Sequence, residues 1–135
     1  MPRLFIAAIT ALLLAFPAFA QTPAPSGAQP GPDDRAKQWL TLVDDSNYGE
    51  STRQLAPQAK KAEIAALPAL RQPLGAVSSR TLKDVKLSTT NPGMAPGQYA
   101  VVRYDSSFAH RANVLETVTL VLNKGAWAVV AYRID

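Results

Sequence analysis

The stretch YAVVRYDSSFAHRANVLETVTLVLNKGAWAVVAYRI, residues 99–134, decides the fold. Three apolar runs, residues 99–108, 114–122 and 127–134, follow one another with short polar breaks. Val, Leu, Tyr and Phe in near period-two alternation are the pattern of strands rather than helices. Asn123-Lys124-Gly125 between the last two runs is a hairpin turn signal. One step upstream, residues 80–87 (RTLKDVKL) read as a further strand. Regular alternation there puts Leu82 on one face and Val85 and Leu87 on the other, which calls for a bulge or an edge location. Lys83 and Lys86 suit a protected edge. The loop to the next strand is bracketed by Asn91-Pro92-Gly93 and Pro96-Gly97.

The half of the chain before this region has helical spacing. Asp33 and Asp34 behind Pro32 mark a helix start, with acids on the positive end of the dipole. Ala36, Trp39, Leu40 and Val43 recur on one face. Asp44 and Asp45 fall at the helix end, where the dipole disfavours anions, so a basic partner or a break into a new helix is expected. Asn47-Tyr48-Gly49 supplies the break, with Gly49 as the left-handed stop. A second helix is predicted over residues 50–56. A third starts at Pro57 and carries Ala62, Ile64, Ala65, Leu67 and Leu70, with Pro68 kinking it or opening a new turn. Pro73-Leu74-Gly75 ends the helical half. Helices first and sequential strands after predict an α+β fold: two to three N-terminal helices packed on one face of a four-stranded antiparallel sheet.

At the N-terminus, MPRLFIAAITALLLAFPAFA (residues 1–20) has the three parts of an export signal. Arg3 gives the positive start, Leu4 to Phe16 the apolar stretch, and Ala18-Phe19-Ala20 the small-residue cleavage pattern. Its apolar run is shorter than the ~20 residues a spanning helix needs. Cleavage after Ala20 is expected, with a periplasmic or secreted product and no stable membrane insertion. Residues 21–32, QTPAPSGAQPGP, read as a Pro/Gly-rich flexible leader, and residues 33–135 as a single domain. The 135-residue chain has no cysteine, which excludes disulfides, thiolate nucleophiles and sulfur metal ligands. Its formal charge of +4 comes from dispersed side chains, apart from Lys60-Lys61 and Arg80, Lys83, Lys86. Export and the lack of an aromatic-basic motif argue against nucleic acid as a partner.

Candidates for chemistry are few. Glu116 shares a strand face with Val114, Val118, Leu120 and Leu122, so its carboxylate must be paired or be pushed toward neutrality. Arg80, Arg71 and Arg103 are the residues available to pair it. Arg103 and Asp105 share a face and read as a solvent-side ladder. Asp44, Tyr48 and Ser51 follow helical spacing around the first helix end. His110 is the single histidine and sits in a polar turn. One histidine without cysteines builds no metal site unless carboxylates supply the rest. No phosphate-cradling glycine loop, H-E-x-x-H pattern or nucleophile elbow occurs, so no metal or cofactor is expected. Trp39 and Trp127 read as core anchors.

Taken together, a set of short stretches resembles a bacterial family, domain of unknown function 4019. They are Trp39-Leu40 with Asp44, Tyr48 and Ser51; Arg71-Gln72-Pro73-Leu74-Gly75 with Ser79-Arg80; and Pro96-Gly97-Gln98-Tyr99 with Tyr104 and Phe108. Glu116-Thr117-Val118-Thr119-Leu120 and Gly125, Trp127, Val129 and Tyr132 complete the set. Thr52 stands where a tryptophan is usual and Ala131 where a glycine is common. The resemblance implies an exported helix-plus-sheet domain and brings no catalytic residues with it.

Three functional expectations follow. The first is a non-enzymatic binding or accessory module of the cell envelope, with an envelope protein or a small ligand as partner. The second is a small hydrolase or isomerase with a cone-shaped cavity between helices and sheet. There Glu116 would act as acid and base, Arg80 or Arg71 would bind an anion, and Tyr48 would orient it. The third is homodimerisation through the second face of the sheet, where Leu115 and Val121 need cover.

Overall fold

The computed structural model describes residues 29–135. Residues 1–20, read above as an export signal, and residues 21–28 of the expected leader lie outside the described residues. Among the described residues, four α-helices and one 3-10 turn precede four strands. They are α1 (Pro32–Asp44), α2 (Tyr48–Arg53), α3 (Lys61–Ala65) and α4 (Leu67–Arg71), then the turn Gln72–Leu74. The strands are β1 (Val77–Ser88), β2 (Tyr99–Phe108), β3 (Arg111–Asn123) and β4 (Ala126–Ile134). All neighbours pair antiparallel in the order β1-β2-β3-β4. The domain is α+β, as its pattern of helices and then strands predicts. Among the described residues no helix is long and apolar enough to cross a membrane.

The first helix forms as its residues dictate. Pro32 opens it, Asp33 and Asp34 occupy the first turn, and Ala36, Trp39, Leu40 and Val43 are its buried stripe. Its end departs from expectation. The left-handed residue is Ser46, with φ of 58°, not Gly49, which lies inside α2. The Ser46 amide donates to the Val43 carbonyl and the Asn47 amide to the Leu42 carbonyl, the pair of bonds that closes a helix around a left-handed residue. Asn47 then caps α2 by accepting from the Glu50 amide. One residue therefore stops α1 and the next starts α2.

The third helix does not begin at Pro57. Residues 55–60 instead follow the outer edge of β4. Leu55 bridges Val129, the Ala56 amide donates to the Val129 carbonyl at 2.8 Å, and the Lys60 amide donates to the Val130 carbonyl at 3.0 Å. Tertiary pairing thus overrides the local helix signal until Lys61. Pro68 stands in the first turn of α4, where its missing donor costs nothing, so the proline opens a new helix.

Shifts of register set which side chains reach the core. In β1, Leu82 pairs Tyr104 and Asp84 pairs Arg103, leaving Lys83 as the extra residue. The strand therefore changes parity there. Leu82, Val85 and Leu87 pair with Tyr104, Val102 and Ala100 and share the helix-side face, instead of splitting between faces. In β4, Leu120 pairs Val129 and Thr119 pairs Ala131, so Val130 is extra. This shift lets Val129 and Tyr132 both enter the main core. Two further irregularities lie between Val77 and Ser79 in β1 and between Ser106 and Phe108 in β2. The β3–β4 turn is the predicted one: Asn123 pairs Ala126, and Lys124 and Gly125 both have positive φ, as a two-residue hairpin loop requires.

The main core packs the α1 stripe and Ile64 and Leu67 against Val102, Tyr104, Val118, Leu120, Val129 and Tyr132. Trp39 is fully buried and its indole donates to the Ser51 carbonyl at 2.9 Å. Its ring lies 5.5 Å from that of Tyr132, tilted by 56°. On the second face, Val121 is covered by the chain itself. It packs with Tyr99, Ala56 and Val130, and Met94 of the β1–β2 loop closes over them.

Candidate functional site

One buried charge cluster joins α1, α4, β1 and β3. Glu116 is 0% exposed. Its Oε1 accepts from Arg80 Nε at 2.7 Å and from Ser106 Oγ at 2.5 Å. Its Oε2 accepts from Arg80 Nη2 at 3.1 Å and from the Tyr132 hydroxyl, with Arg71 Nη1 3.7 Å away. Asp44 at the end of α1 faces the same two arginines. Arg80 Nη1 reaches its Oδ2 at 2.7 Å, and Arg71 Nη2 reaches its Oδ1 at 2.5 Å. Arg71 also lies over the Phe108 ring, 4.7 Å from the centroid, and donates to the Tyr132 hydroxyl at 3.4 Å. Two guanidiniums and two carboxylates cancel, and no buried side-chain nitrogen or oxygen among the described residues lacks a hydrogen-bond partner.

Each partner arrives there for a local reason. Arg71 ends α4, and the chain then reverses through Gly75, whose φ of 74° and ψ of −161° belong to a region essentially open only to glycine. A Cβ at Gly75 would also stand 2.9 Å from the His110 ring. That reversal delivers β1 beside β2, so that Arg80 pairs Ser106. Ser106, Tyr104 and Glu116 lie on the same side of neighbouring strands, with Tyr104 directly opposite Glu116.

Electrostatics follow from this packing. Burial by itself would raise the Asp44 carboxyl, but hydrogen bonds and charge from Arg80 and Arg71 outweigh it and hold the group below the usual 3.8. Burial works against the charge of Arg80 and of Arg71 as well. Their carboxylate partners more than offset it, so both are held more firmly protonated than a free arginine. Burial and the adjacent Glu116 carboxylate push the Tyr132 hydroxyl well above 10. Burial pushes Tyr104 up to about 12. Stability should therefore fall on both flanks of neutral pH. Asp44 is depressed in the fold, so its contribution is present above the ordinary carboxyl value and is lost as pH falls through the depressed one. Tyr132 and Tyr104 are raised, so their contribution is complete below pH 10, the unfolded value, and declines as pH rises beyond it. Urea midpoints at acid, neutral and alkaline pH check this, and Tyr132→Phe should flatten the alkaline limb.

The residues singled out from sequence divide clearly. Glu116, Arg80 and Arg71 come together, and Asp44 finds the basic partners that its position at a helix end demanded. Arg103 does not join them. It faces the other side of the sheet and its Nε pairs Asp84 at 2.8 Å, while Lys83 pairs Asp105 at 3.6 Å. Tyr48 is half-buried on the wall of an open cleft of about 440 Å3, with Asp44, Arg71, Pro68 and Gln72. Its hydroxyl takes no part in binding Glu116, and Glu116 is not on the cleft wall. The cluster also contains two residues that sequence reasoning did not place in it. Ser106 is legible in hindsight from its alternation with Tyr104 and Phe108. Tyr132 is hidden by the β4 bulge.

A second concavity, about 740 Å3, lies on the open face of the sheet. Val101, Thr117, Thr119 and Ala131 are among its floor residues, and Lys60 and Leu70 lie on its rim. His110 is exposed in the β2–β3 turn, where its backbone amide donates to the Leu74 carbonyl at 3.0 Å. Among the described residues no three His, Asp or Glu side chains are grouped to hold a metal ion.

Fold and cluster together define a small α+β domain whose helices are tied to its sheet by a buried ion network. The chain belongs to the family described as Protein of unknown function (DUF4019), which matches residues 35–132. No protein of curated function matches it. It is similar to a solved 1.8 Å structure, Aln2 from a Streptomyces species, at 16% identity and a TM-score of 0.41, over 79% of this chain and 93% of that one.

Proposed function

We propose that the chain is exported through residues 1–20 and acts in the cell envelope as a non-enzymatic binding or accessory domain. The observation that carries this reading is the saturation of Glu116. A general acid or base must reach the proton it transfers, and this carboxylate is fully buried and accepts four hydrogen bonds from Arg80, Ser106 and Tyr132. Both guanidiniums that would hold an anionic substrate are likewise engaged with Asp44 and Glu116. The open-face concavity, with threonines on its floor and Lys60 and Leu70 on its rim, is the surface this reading assigns to a partner.

The test is made in the producing bacterium. The chain should be recovered outside the cytoplasm, with Gln21 as its first residue. A photoreactive residue in place of Thr117 should give a discrete adduct in that fraction, and one in place of Lys124 should not. Recovery of the intact chain in the cytoplasm, or identical labelling from both positions, contradicts the proposal. So does turnover that Glu116→Gln abolishes without moving the unfolding midpoint.

A further inference from the structure

We propose that two copies of this chain pair edge to edge through β1, antiparallel about a two-fold axis that passes between Lys83 and Asp84. This inference is independent of the binding role above. It starts from the unlike edges of the sheet. The outer edge of β4 is covered by residues 55–60, which bridge Val129 and donate to the Val129 and Val130 carbonyls. Among the described residues β1 is the other edge, twelve residues long, with β2 on one side only. A strand in that position turns half of its amides and carbonyls outward. Beside them Leu82, Val85 and Leu87 are 40%, 37% and 71% exposed, and the bulge at Lys83 gathers all three on one face.

That bulge also selects the occupant. A two-fold axis normal to a sheet sets each residue opposite one that points to the same face. Parity changes at Lys83, so pairing across the Lys83–Asp84 centre satisfies this rule along the strand. Leu82 of each copy meets Val85 of the other, and Arg80 meets Leu87, all on the helix side. Thr81 meets Lys86 on the open side. At the centre Lys83 meets Asp84 twice, on the open face where each already pairs within its own chain, with Asp105 and Arg103. Opposite charges directly across a strand pair are favourable, and like charges are not. A slip of one residue in either direction sets Lys83 against Lys83 or Asp84 against Asp84. The edge is thus self-complementary in one register, and its fit is to a second copy. Pairing would merge the exposed Leu82, Val85 and Leu87 rows into one strip. It would also set the two open-face concavities on the same side of one continuous sheet.

The absence of cysteine makes the register directly testable. Light scattering on the purified chain at about 100 μM should give twice the chain mass. Thr81→Cys/Lys86→Cys should close into a covalent dimer on mild oxidation, while either single variant and Thr81→Cys/Ser88→Cys should not. Leu87→Lys, at an exposed position, should return the chain to a monomer with its urea midpoint at the value of the unmodified chain at monomeric dilution. A monomeric mass at that concentration overturns the proposal. A dimer that forms no 81–86 bridge, or one that persists in Leu87→Lys, overturns it too.

Discussion

Glu116→Gln is expected to remove about 3–5 kcal/mol from the stability of the domain, the cost typical of breaking a buried ion pair from one side. The substitution preserves size and packing, so the loss isolates charge and hydrogen bonding. Two guanidiniums would then face Asp44 alone. Four donor contacts, from Arg80 Nε and Nη2, Ser106 and Tyr132, now converge on two carboxylate oxygens. An amide presents one oxygen and one NH2 group, so at least one donor would meet another donor in a site that water does not reach. Domains of this size have about 5–15 kcal/mol in total, so the change should move the urea midpoint by a large fraction of its value. Circular dichroism in urea at neutral pH reads it directly.

Arg80→Met should lose a comparable amount, about 3–5 kcal/mol, for the opposite reason. Methionine fills much of the space of the arginine stem but leaves both carboxylates dependent on Arg71. Asp44 retains some access to water, with its side chain 18% exposed. Glu116 does not, so most of the loss should fall on it. Arg80→Lys is the informative companion. It restores a positive charge without the planar fork that bonds Asp44 and Glu116 together, and should recover only part of the loss. Hydrogen exchange should show β1 amides opening first in Arg80→Met, because Arg80 is the link by which this outer strand joins the buried cluster.

Much of this architecture is legible in the chain before folding is considered. Residues 99–134 alternate strongly enough to place three strands, and the Asn123-Lys124-Gly125 turn needs φ values that few other sequences adopt readily. Glu116 announces itself as a charge on an apolar face. Asp44 does so as an anion at the wrong end of a helix dipole, and both requirements are met by the same pair of arginines. What alternation cannot reveal is a change of parity. The bulges at Lys83 and Val130 each invert the face assignment downstream, and for this reason simple alternation separates Leu82 from Val85 and leaves Tyr132 out of the cluster. The segment after Pro57 is illegible for a different cause. The Ala56 and Lys60 amides on either side of it are taken by the β4 edge, a long-range pairing that local propensity does not encode. The Tyr48 hydroxyl shows the limit of helical spacing as a guide, since adjacency to Asp44 along the helix end does not bring it to Glu116.

Above all, the buried cluster acts as one structural unit that ties the helices to the sheet. A double-mutant cycle in urea with Glu116→Gln, Arg80→Met and the combination tests this most directly. Coupled partners should give a double variant more stable than the sum of the single losses predicts, by roughly 2 kcal/mol or more, within the range seen for residues in one network. Strictly additive losses would mean that Arg80 and Glu116 act independently, and would contradict a single cooperative cluster.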